Sequence, residues 1–402
     1  MRFPLPADTF PPLVVSEEDQ FDLQRLSKEF INEALDQYGD FRSSGGVFDK
    51  TRWKPVKTRE GVTAYRDLKV TSLEASRVAP HLQVGSGAMT ASTNLHGVVA
   101  VGTIDGKFND MMFGLLNSNT EMVKIKSSYT NDKMVDAKVL ATIVAPTPQE
   151  PARGLFIKWG VSMGAPALFR KVVRPRDFVY LESLGILHSE SDERIGYSLI
   201  HSLQIPTIRE LAEYQIVRAN SSICLLFRQK ASGQLEIYVQ GFVDAMGNIH
   251  PSIAVSAVAD GLMSYDKMVH CGQMKKLNWL LKTKKTVLLD FESSECVVCS
   301  KSASRSKSCQ VCMNTMCARC SVTKKLSFLS HLSRRVSKRS LVFCMRCNLA
   351  AREADALGIA AEELLRLNPF ECYEISEGST TSSTPASPSS TIPPDTTREF
   401  FG

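Results

Sequence analysis

The chain has 402 residues, of which 43% are hydrophobic and 22% charged, and its formal net charge is +6. This composition excludes a chain too polar to fold, and the length suits one large core plus a smaller unit. No window approaches the roughly 20 apolar residues of a membrane-spanning helix, and the first residues lack a sustained apolar run. We therefore expect a soluble, intracellular protein.

The positive charge is concentrated in one segment. Between Cys296 and Cys347 the sequence holds eleven Lys or Arg residues and no Asp or Glu, so the remainder carries a net charge of −5. The segment stays basic even after two zinc ions and eight thiolates subtract about four charges. It therefore predicts an anionic partner.

A helix is the first predicted element. Acidic residues follow Ser16, and apolar residues then recur at helical spacing up to Gly39. From Trp53 to Asp244, β-branched and aromatic segments bounded by Gly, Pro and Asn predict an antiparallel meander. A short helix is predicted from Phe108 to Asn117. The strands are predicted near 62–70, 95–104, 134–144, 154–163, 177–187, 194–205, 216–230 and 234–243.

A long amphipathic helix is predicted from Ser252 to Lys282, where no proline occurs. An apolar curved sheet closed by one long helix favours a grip around a hydrophobic ligand, because such a half-barrel has more inward surface than its own side chains must fill. A fully packed core without a ligand is the alternative that composition leaves open. The predicted fold class is α+β.

Two runs and the terminal helix carry a resemblance to a known family. The runs are WKPVKTREGVTAYRD, from Trp53 to Asp67, and RPRDFVYLE, from Arg174 to Glu182. They resemble the START lipid-transfer family, whose members enclose one lipid or sterol in a helix-grip fold. The likeness covers about residues 10–285. It implies a START-like domain with a hydrophobic cavity, whose lining residues the sequence does not identify.

Eight of the eleven cysteines form four C-x-x-C pairs, spaced C-x2-C-x9-C-x2-C-x4-C-x2-C-x23-C-x2-C. Each pair can direct two thiolates at one tetrahedral ion, and eight soft ligands suit two zinc ions better than disulfides or iron–sulfur clusters. An all-thiolate site has no open coordination position, so the predicted zinc is structural and not catalytic. The predicted ligands are Cys296, Cys299, Cys309, Cys312, Cys317, Cys320, Cys344 and Cys347.

The pairs can share ions sequentially or in an interleaved way. Their spacing resembles that of FYVE-type treble-clef fingers, which interleave, as RING-type and PHD-type modules do. The resemblance therefore implies that the first and third pairs hold one ion and the second and fourth pairs the other. A START-like domain followed by such a finger, here at about 290–350, is similar to the START/FYVE proteins of oomycetes.

FYVE domains recognise phosphatidylinositol 3-phosphate through a basic block, R-(R/K)-H-H-C-R-x-C-G. From Arg305 to Met313 this chain reads RSKSCQVCM, without the histidines or the arginine after the cysteine. This departure argues against specific 3-phosphate binding. The basic side chains still predict non-specific contact with anionic lipids, at about 1 kcal/mol each. The candidates are Arg305, Lys307, Arg334, Arg335, Lys338 and Arg339.

No catalytic motif is present, since the seven histidines are scattered and none lies in a known catalytic pattern. We predict a non-enzymatic, lipid-associated adaptor in the cytoplasm, peripheral on an endosomal or other intracellular membrane. A protein partner is possible on the same finger, whereas nucleic acid is not expected because stacking aromatics are lacking. The alternative is a protein-interaction scaffold, with a ligand-free grip or a RING-like ubiquitin ligase module.

The C-terminal end has two predicted parts. A helical extension is predicted at 351–370, within the stretch from Asn348 to Leu367 and interrupted by Gly358. The Ser/Thr/Pro-rich tail at 376–402 is predicted to be disordered, because it cannot bury enough apolar surface to offset its ordering entropy.

Overall fold

The computed structural model describes residues 3–6, 8–69, 96–130, 132, 134–163, 174–244, 246, 250–283, 295–302, 307–330, 333, 335–366 and 373–375. The tail predicted to be disordered, 376–402, lies outside these residues. Among the helices so described, none combines the length and apolar character needed to cross a bilayer.

One large sheet forms the centre of the fold. Its strands are β1 (Trp53–Arg59), β2 (Val62–Asp67), β3 (His96–Asp105), β4 (Met134–Val144), β5 (Gly154–Ser162), β6 (Arg176–His188), β7 (Arg194–Ser202), β8 (Val217–Arg218), β9 (Asn220–Gln229) and β10 (Gln234–Asp244). They are ordered β1-β2-β3-β10-β9-β7-β6-β5-β4, and the short β8 pairs parallel with β6. All other neighbours are antiparallel, as the meander pattern predicted.

Helices cover both faces of the sheet. They are α1 (Glu17–Ser43), α2 (Phe108–Leu115), α3 (Thr120–Thr130), α4 (Pro251–Met263) and α5 (Lys267–Thr283). Alternate residues of β9 face opposite ways, as the two-residue period of a strand requires. Leu226 packs in the cluster that contains α1 residues, whereas Leu225 and Phe227 pack in the cluster that contains residues of α2, α4 and α5. This arrangement is the helix-grip class predicted from the sequence.

The predicted long C-terminal helix is divided into α4 and α5 by a 3-10 turn from Ser264 to Asp266. The Ser264 hydroxyl donates a 2.6 Å hydrogen bond to the carbonyl of Gly261. Such back-bonding to a preceding carbonyl competes with regular helix geometry, and a 3-10 turn tightens the chain at this point. The prediction of one uninterrupted helix was therefore wrong, because one 3-10 turn separates two helices.

Helices α2 and α5 cross with their backbones in contact. A Cβ atom on Gly114 would lie 1.9 Å from the Met268 carbonyl oxygen, and one on Gly272 would lie 2.0 Å from the Asp110 carbonyl oxygen. Only glycine fits at either position. The close crossing brings the chain that leaves α2, including Asn117, into the space between the sheet and α5.

The C-terminal part of the chain, from β11 onward, packs against the elements described above. Its elements are β11 (Lys307–Ser308), β12 (Thr315–Met316), β13 (Ser321–Ser330), β14 (Val336–Cys344), α6 (Met345–Glu353), α7 (Ala356–Leu364) and β15 (Glu374–Ile375). Strands β13 and β14 form a hairpin, and β15 pairs parallel with β13. One buried cluster joins Tyr129 of α3 and Met274 of α5 to Leu326 and Phe328 of β13.

The predicted helical extension is two helices that meet before Gly358. The Asp355 carboxylate caps α7 by accepting a 3.2 Å hydrogen bond from the Leu357 N–H. A Cβ atom on Gly358 would lie 2.8 Å from that carboxylate. The prediction that Gly358 interrupts the helix was therefore wrong, because α7 continues through Gly358 and the glycine makes room for the cap.

Candidate functional site

The eight cysteines lie in two tetrads. In each, the four sulfur atoms lie within 4.8 Å of one another. The first tetrad combines the first and third C-x-x-C pairs, and the second combines the second and fourth. This is the interleaved arrangement that the FYVE resemblance implied.

The sulfur positions fit zinc. A tetrahedral ion with Zn–S bonds of about 2.3 Å holds its sulfurs about 3.8 Å apart. Here the Sγ atoms of Cys299 and Cys317 are 3.9 Å apart, and those of Cys312 and Cys344 are 4.0 Å apart. A disulfide requires about 2.05 Å. The tetrads therefore fit two structural metal sites without an open position for a substrate.

Backbone N–H groups favour the thiolate form that a metal needs. The N–H of Cys344 donates to the Cys309 sulfur at 3.2 Å, and that of Cys347 donates to the Cys344 sulfur at 3.4 Å. The Cys347 thiol donates to the Cys309 sulfur, which lowers the pKa of Cys309 to about 4 and raises that of Cys347, while burial raises the pKa of Cys344. Cys344 and Cys347 also begin α6, so the second tetrad fixes the start of that helix.

Four of the six predicted lipid-contacting residues are described. Arg305 and Arg334 lie outside the described residues. Lys307 is exposed on β11, whereas the side chains of Arg335, Lys338 and Arg339 belong to the β13–β14 hairpin region. Lys338 and Arg339 are neighbours on β14, where Lys338 is exposed and Arg339 is half-buried.

The basic hairpin lies beside helices of the sheet domain, which is the part of the chain that contains β1–β10 and α1–α5. The Lys338 Nζ lies 6.0 Å from the centre of the Tyr129 ring on α3. Burial, followed by the charges of Lys324 and Lys338, lowers the pKa of His270 on α5 below its ordinary value. Lys324 and Lys338 of the hairpin therefore place positive charge beside α3 and α5.

A buried polar cluster, which the sequence did not predict, lies between the sheet and the helices. Lys158 of β5 and Glu182 of β6 form an ion pair, and their side chains are only 1% and 2% exposed. Lys158 also donates to the Asn117 backbone carbonyl at 2.7 Å and to its side-chain oxygen. Lys126 of α3 approaches Glu182 at 3.5 Å. Four polar side chains thus converge between the sheet and the helices.

Both members of the pair are held in their charged forms at neutral pH. Burial lowers the pKa of Lys158 to about 8, against the raising effect of Glu182. Burial alone would raise the pKa of Glu182, but Lys158 and then Lys126 hold it below its ordinary value. The interior therefore contains fixed charges that can orient a polar group.

A pocket with a volume of about 60 Å³ borders this cluster. Asn117 contributes both to the cluster and to the pocket wall. Apolar side chains such as Phe113, Phe156 and Leu184 form much of the rest, and α7 closes one side through Ala360 and Leu364. This volume accommodates a few water molecules, whereas small-molecule sites usually occupy about 300–1,000 Å³.

One sequence signal could have identified the cluster. Glu182 is the charged residue in the run FVYLESL, where it alternates with Tyr180 and Leu184. Since side chains two apart share a face of the sheet, this alternation places a carboxylate on the same face as two large apolar groups. Lys158 is likewise the one charged residue of the run LFIKWG on β5. No comparable signal marks Asn117.

The solved structures similar to this chain include lipid-transfer domains. Human StAR-related lipid transfer protein 5 is 12% identical over 63% of this chain and 98% of its own, with a TM-score of 0.41. Human STARD10 is 14% identical over 67% and 84%, with a TM-score of 0.37. A StAR-related lipid transfer protein fragment from Xanthomonas axonopodis is 14% identical over 55% and 98%, with a TM-score of 0.34.

No protein-family model and no curated protein matches the chain. At these identities and TM-scores the likeness identifies neither a family nor a ligand for this chain. The FYVE resemblance stays a prediction.

Proposed function

We propose that the chain binds one lipid or sterol between its large sheet and α5. The observation that carries this proposal is the buried pair of Lys158 and Glu182. Removing each charge from water costs several kcal/mol, and apolar residues would fill the same space without that cost. A ligand with an apolar body and one polar group would match an apolar layer that contains fixed charges.

The small pocket sets a condition on this proposal. Its volume of about 60 Å³ is far below that of a lipid, so the helices that cover the sheet must move for a lipid to enter. The same observation favours a second candidate, in which the grip is packed and the chain is a protein-interaction scaffold. In that case Lys158 and Glu182 bind each other inside the protein and contact no ligand.

The finger supplies the second half of the proposed function. Its eleven basic residues without an acidic one support contact with an anionic membrane surface, each at about 1 kcal/mol. The altered basic block argues against 3-phosphate specificity. We place the protein on the cytoplasmic side of an intracellular membrane, where it acts as a lipid-associated adaptor without catalysis.

Native mass spectrometry of the full chain tests lipid binding. After incubation with vesicles of mixed phospholipids and sterol, we expect one bound lipid per chain. The double variant Lys158→Met/Glu182→Leu keeps side-chain volume and is expected to bind a polar lipid about tenfold more weakly, from the loss of a charged hydrogen bond.

The matched control is Arg209→Gln/Glu213→Gln, which removes an ion pair whose side chains are 58% and 43% exposed. It should bind as the wild type does. Recovery of no lipid from any vesicle composition would refute the lipid proposal and favour the packed scaffold.

A further inference from the structure

Helix α7 covers the pocket that borders the buried polar cluster. Ala360, Glu363 and Leu364 line the pocket from the α7 side. The remaining walls come from the end of α2, the start of α3, the turn between β4 and β5, Phe156 of β5, Leu184 of β6 and Lys275 of α5. Among the elements that enclose it, α7 is the one that follows the finger in the chain.

Helix α7 is docked by packing and not by strand pairing. Ala356, Ile359 and Ala360 are buried in a small cluster with Phe113 of α2, and Trp279 of α5 packs against it. Leu357 of the same helix also packs against the main core that contains residues of α2, α4 and α5. A helix of nine residues held by this small cluster and by Leu357 can detach at lower cost than the long strands of the sheet.

The finger fixes the position of α7 from its N-terminal side. The second cysteine tetrad includes Cys344 and Cys347, which begin α6. At the end of α6, the buried Lys276 of α5 donates to the carbonyls of Arg352 at 2.6 Å and Ala354 at 3.1 Å. Only Ala354 and Asp355 then separate α6 from α7.

A second connection ties α7 to the finger from its C-terminal side. The Tyr373 hydroxyl donates to the Glu363 carboxylate at 3.1 Å, and the Tyr373 carbonyl accepts from the Leu329 N–H of β13 at 2.6 Å. Tyr373 is itself fully buried. Both ends of α7 are therefore attached to elements that the metal sites organise.

We infer that α7 is the gate of the lipid site, and that zinc in the second tetrad keeps this gate closed. The inference rests on the proposed lipid function. The lipid reaches the polar cluster through the pocket beside Asn117 when α7 lifts from Phe113 and Trp279. Loss of zinc frees the start of α6 and thereby loosens α7.

The test measures the exchange rate of a fluorescent phospholipid between vesicles and the full-length protein. Ile359→Ala removes buried packing of α7 without changing a residue that lines the pocket. We expect it to accelerate uptake and release together by about tenfold, with unchanged occupancy at equilibrium. Asp355→Ala removes only the cap and should accelerate exchange about fivefold.

Leu365→Ala is the matched control, because Leu365 follows α7 and is 72% exposed. It should leave exchange unchanged. A zinc chelator should accelerate exchange in the wild type and add little to Ile359→Ala. Hydrogen exchange of 356–364 should rise in the same order as lipid exchange.

The outcomes separate the two proposals. A bound lipid whose exchange rate is equal in Ile359→Ala and the wild type would refute the gate and leave lipid binding intact. Unchanged exchange after zinc removal would refute the role of zinc. Absence of bound lipid in every variant would refute the proposed function and the gate with it.

Discussion

The backbone N–H of Ser327 on β13 donates a 2.7 Å hydrogen bond to the phenolic oxygen of Tyr129 on α3. The Ser327 carbonyl accepts from Asn278 of α5 at 3.0 Å, and its hydroxyl accepts from Ser128 at 2.7 Å. One residue of the finger thus has all three of its polar groups satisfied by helices of the sheet domain. The finger and the sheet domain should therefore unfold as one cooperative unit.

Tyr129→Phe tests this junction. The variant leaves the buried N–H of Ser327 without its acceptor, which should lower the free energy of unfolding by roughly 1–3 kcal/mol. Urea unfolding monitored by circular dichroism measures the loss. Tyr214→Phe, at a half-buried site away from the finger, is the control and should change the value by less than about 0.5 kcal/mol. Equal effects of the two variants would argue against a structural junction.

The buried ion pair predicts a non-additive double mutant. Lys158→Met alone or Glu182→Leu alone leaves an uncompensated buried charge and should cost about 3–5 kcal/mol of unfolding free energy. The double variant removes both charges and should cost less than either single variant. Chemical denaturation of the four proteins gives the coupling energy. Additive losses would mean that the two side chains act independently.

The same pair predicts an acid dependence. The folded-state pKa of Glu182 lies below its ordinary value of 4.5, because Lys158 and Lys126 outweigh the opposing effect of burial. Its contribution to stability is therefore present above pH 4.5 and is lost as pH falls through the lower folded-state pKa. Between pH 6 and pH 3 the wild type should lose more stability than Lys158→Met/Glu182→Leu. Parallel pH profiles would contradict this.

Zinc removal should destabilise the domain built on the large sheet as well as the finger. The ligands share a buried cluster with Tyr129 and Met274 of the sheet domain, so chelation should also lower the melting temperature of that domain. A chromophoric chelator should release two zinc ions per chain, and differential scanning calorimetry should show the lower transition. Cys309→Ser should reproduce the effect, whereas Cys224→Ser, a core thiol outside the tetrads, should keep both ions. An unchanged sheet-domain transition after chelation would contradict the shared core.

The basic hairpin predicts salt-sensitive membrane binding. Lys338→Gln/Arg339→Gln should weaken binding to vesicles containing anionic phospholipid by about 2 kcal/mol, or roughly thirtyfold, at low salt. The difference should shrink as salt rises, since exposed charges are screened. Lys28→Gln/Lys54→Gln removes two exposed lysines of the sheet domain and is the sedimentation control. Binding that resists salt and prefers the 3-phosphate lipid would contradict a purely electrostatic contact.

The sequence predicted the elements whose side chains follow a regular period. The strands near 134–144 and 234–243 and the helix that begins after Ser16 are found at almost the predicted positions. Strand β1 was missed, because its five central residues are exposed and form no apolar alternation. Helix α3 was also missed, because polar and apolar residues are mixed along it and its packing depends on β13.

The cysteine pairs were predictable because metal ligation requires fixed residue types at fixed spacing. The contact between the finger and the sheet domain was not, since it depends on Ser327, Asn278 and Tyr129, which are ordinary in their local sequence. The alternation around Glu182 and Lys158 signals two charges facing apolar neighbours, but that the two charges pair with each other becomes evident only when β5 and β6 are adjacent. Local sequence patterns predict metal ligands and the periods of helices and strands. Contacts between residues that are distant in the sequence become known only from the folded structure.

Photo-cross-linking tests the central claim, that a lipid occupies the space between the sheet and α5. The full chain would be loaded from vesicles with a phospholipid carrying a diazirine on its acyl chain, irradiated and mapped by peptide mass spectrometry. We expect label on Gly154–Ser162, Arg176–His188 and Lys267–Thr283, the segments that form this space. Label confined to Ser321–Cys344 of the hairpin, or no label on the protein, would contradict the claim.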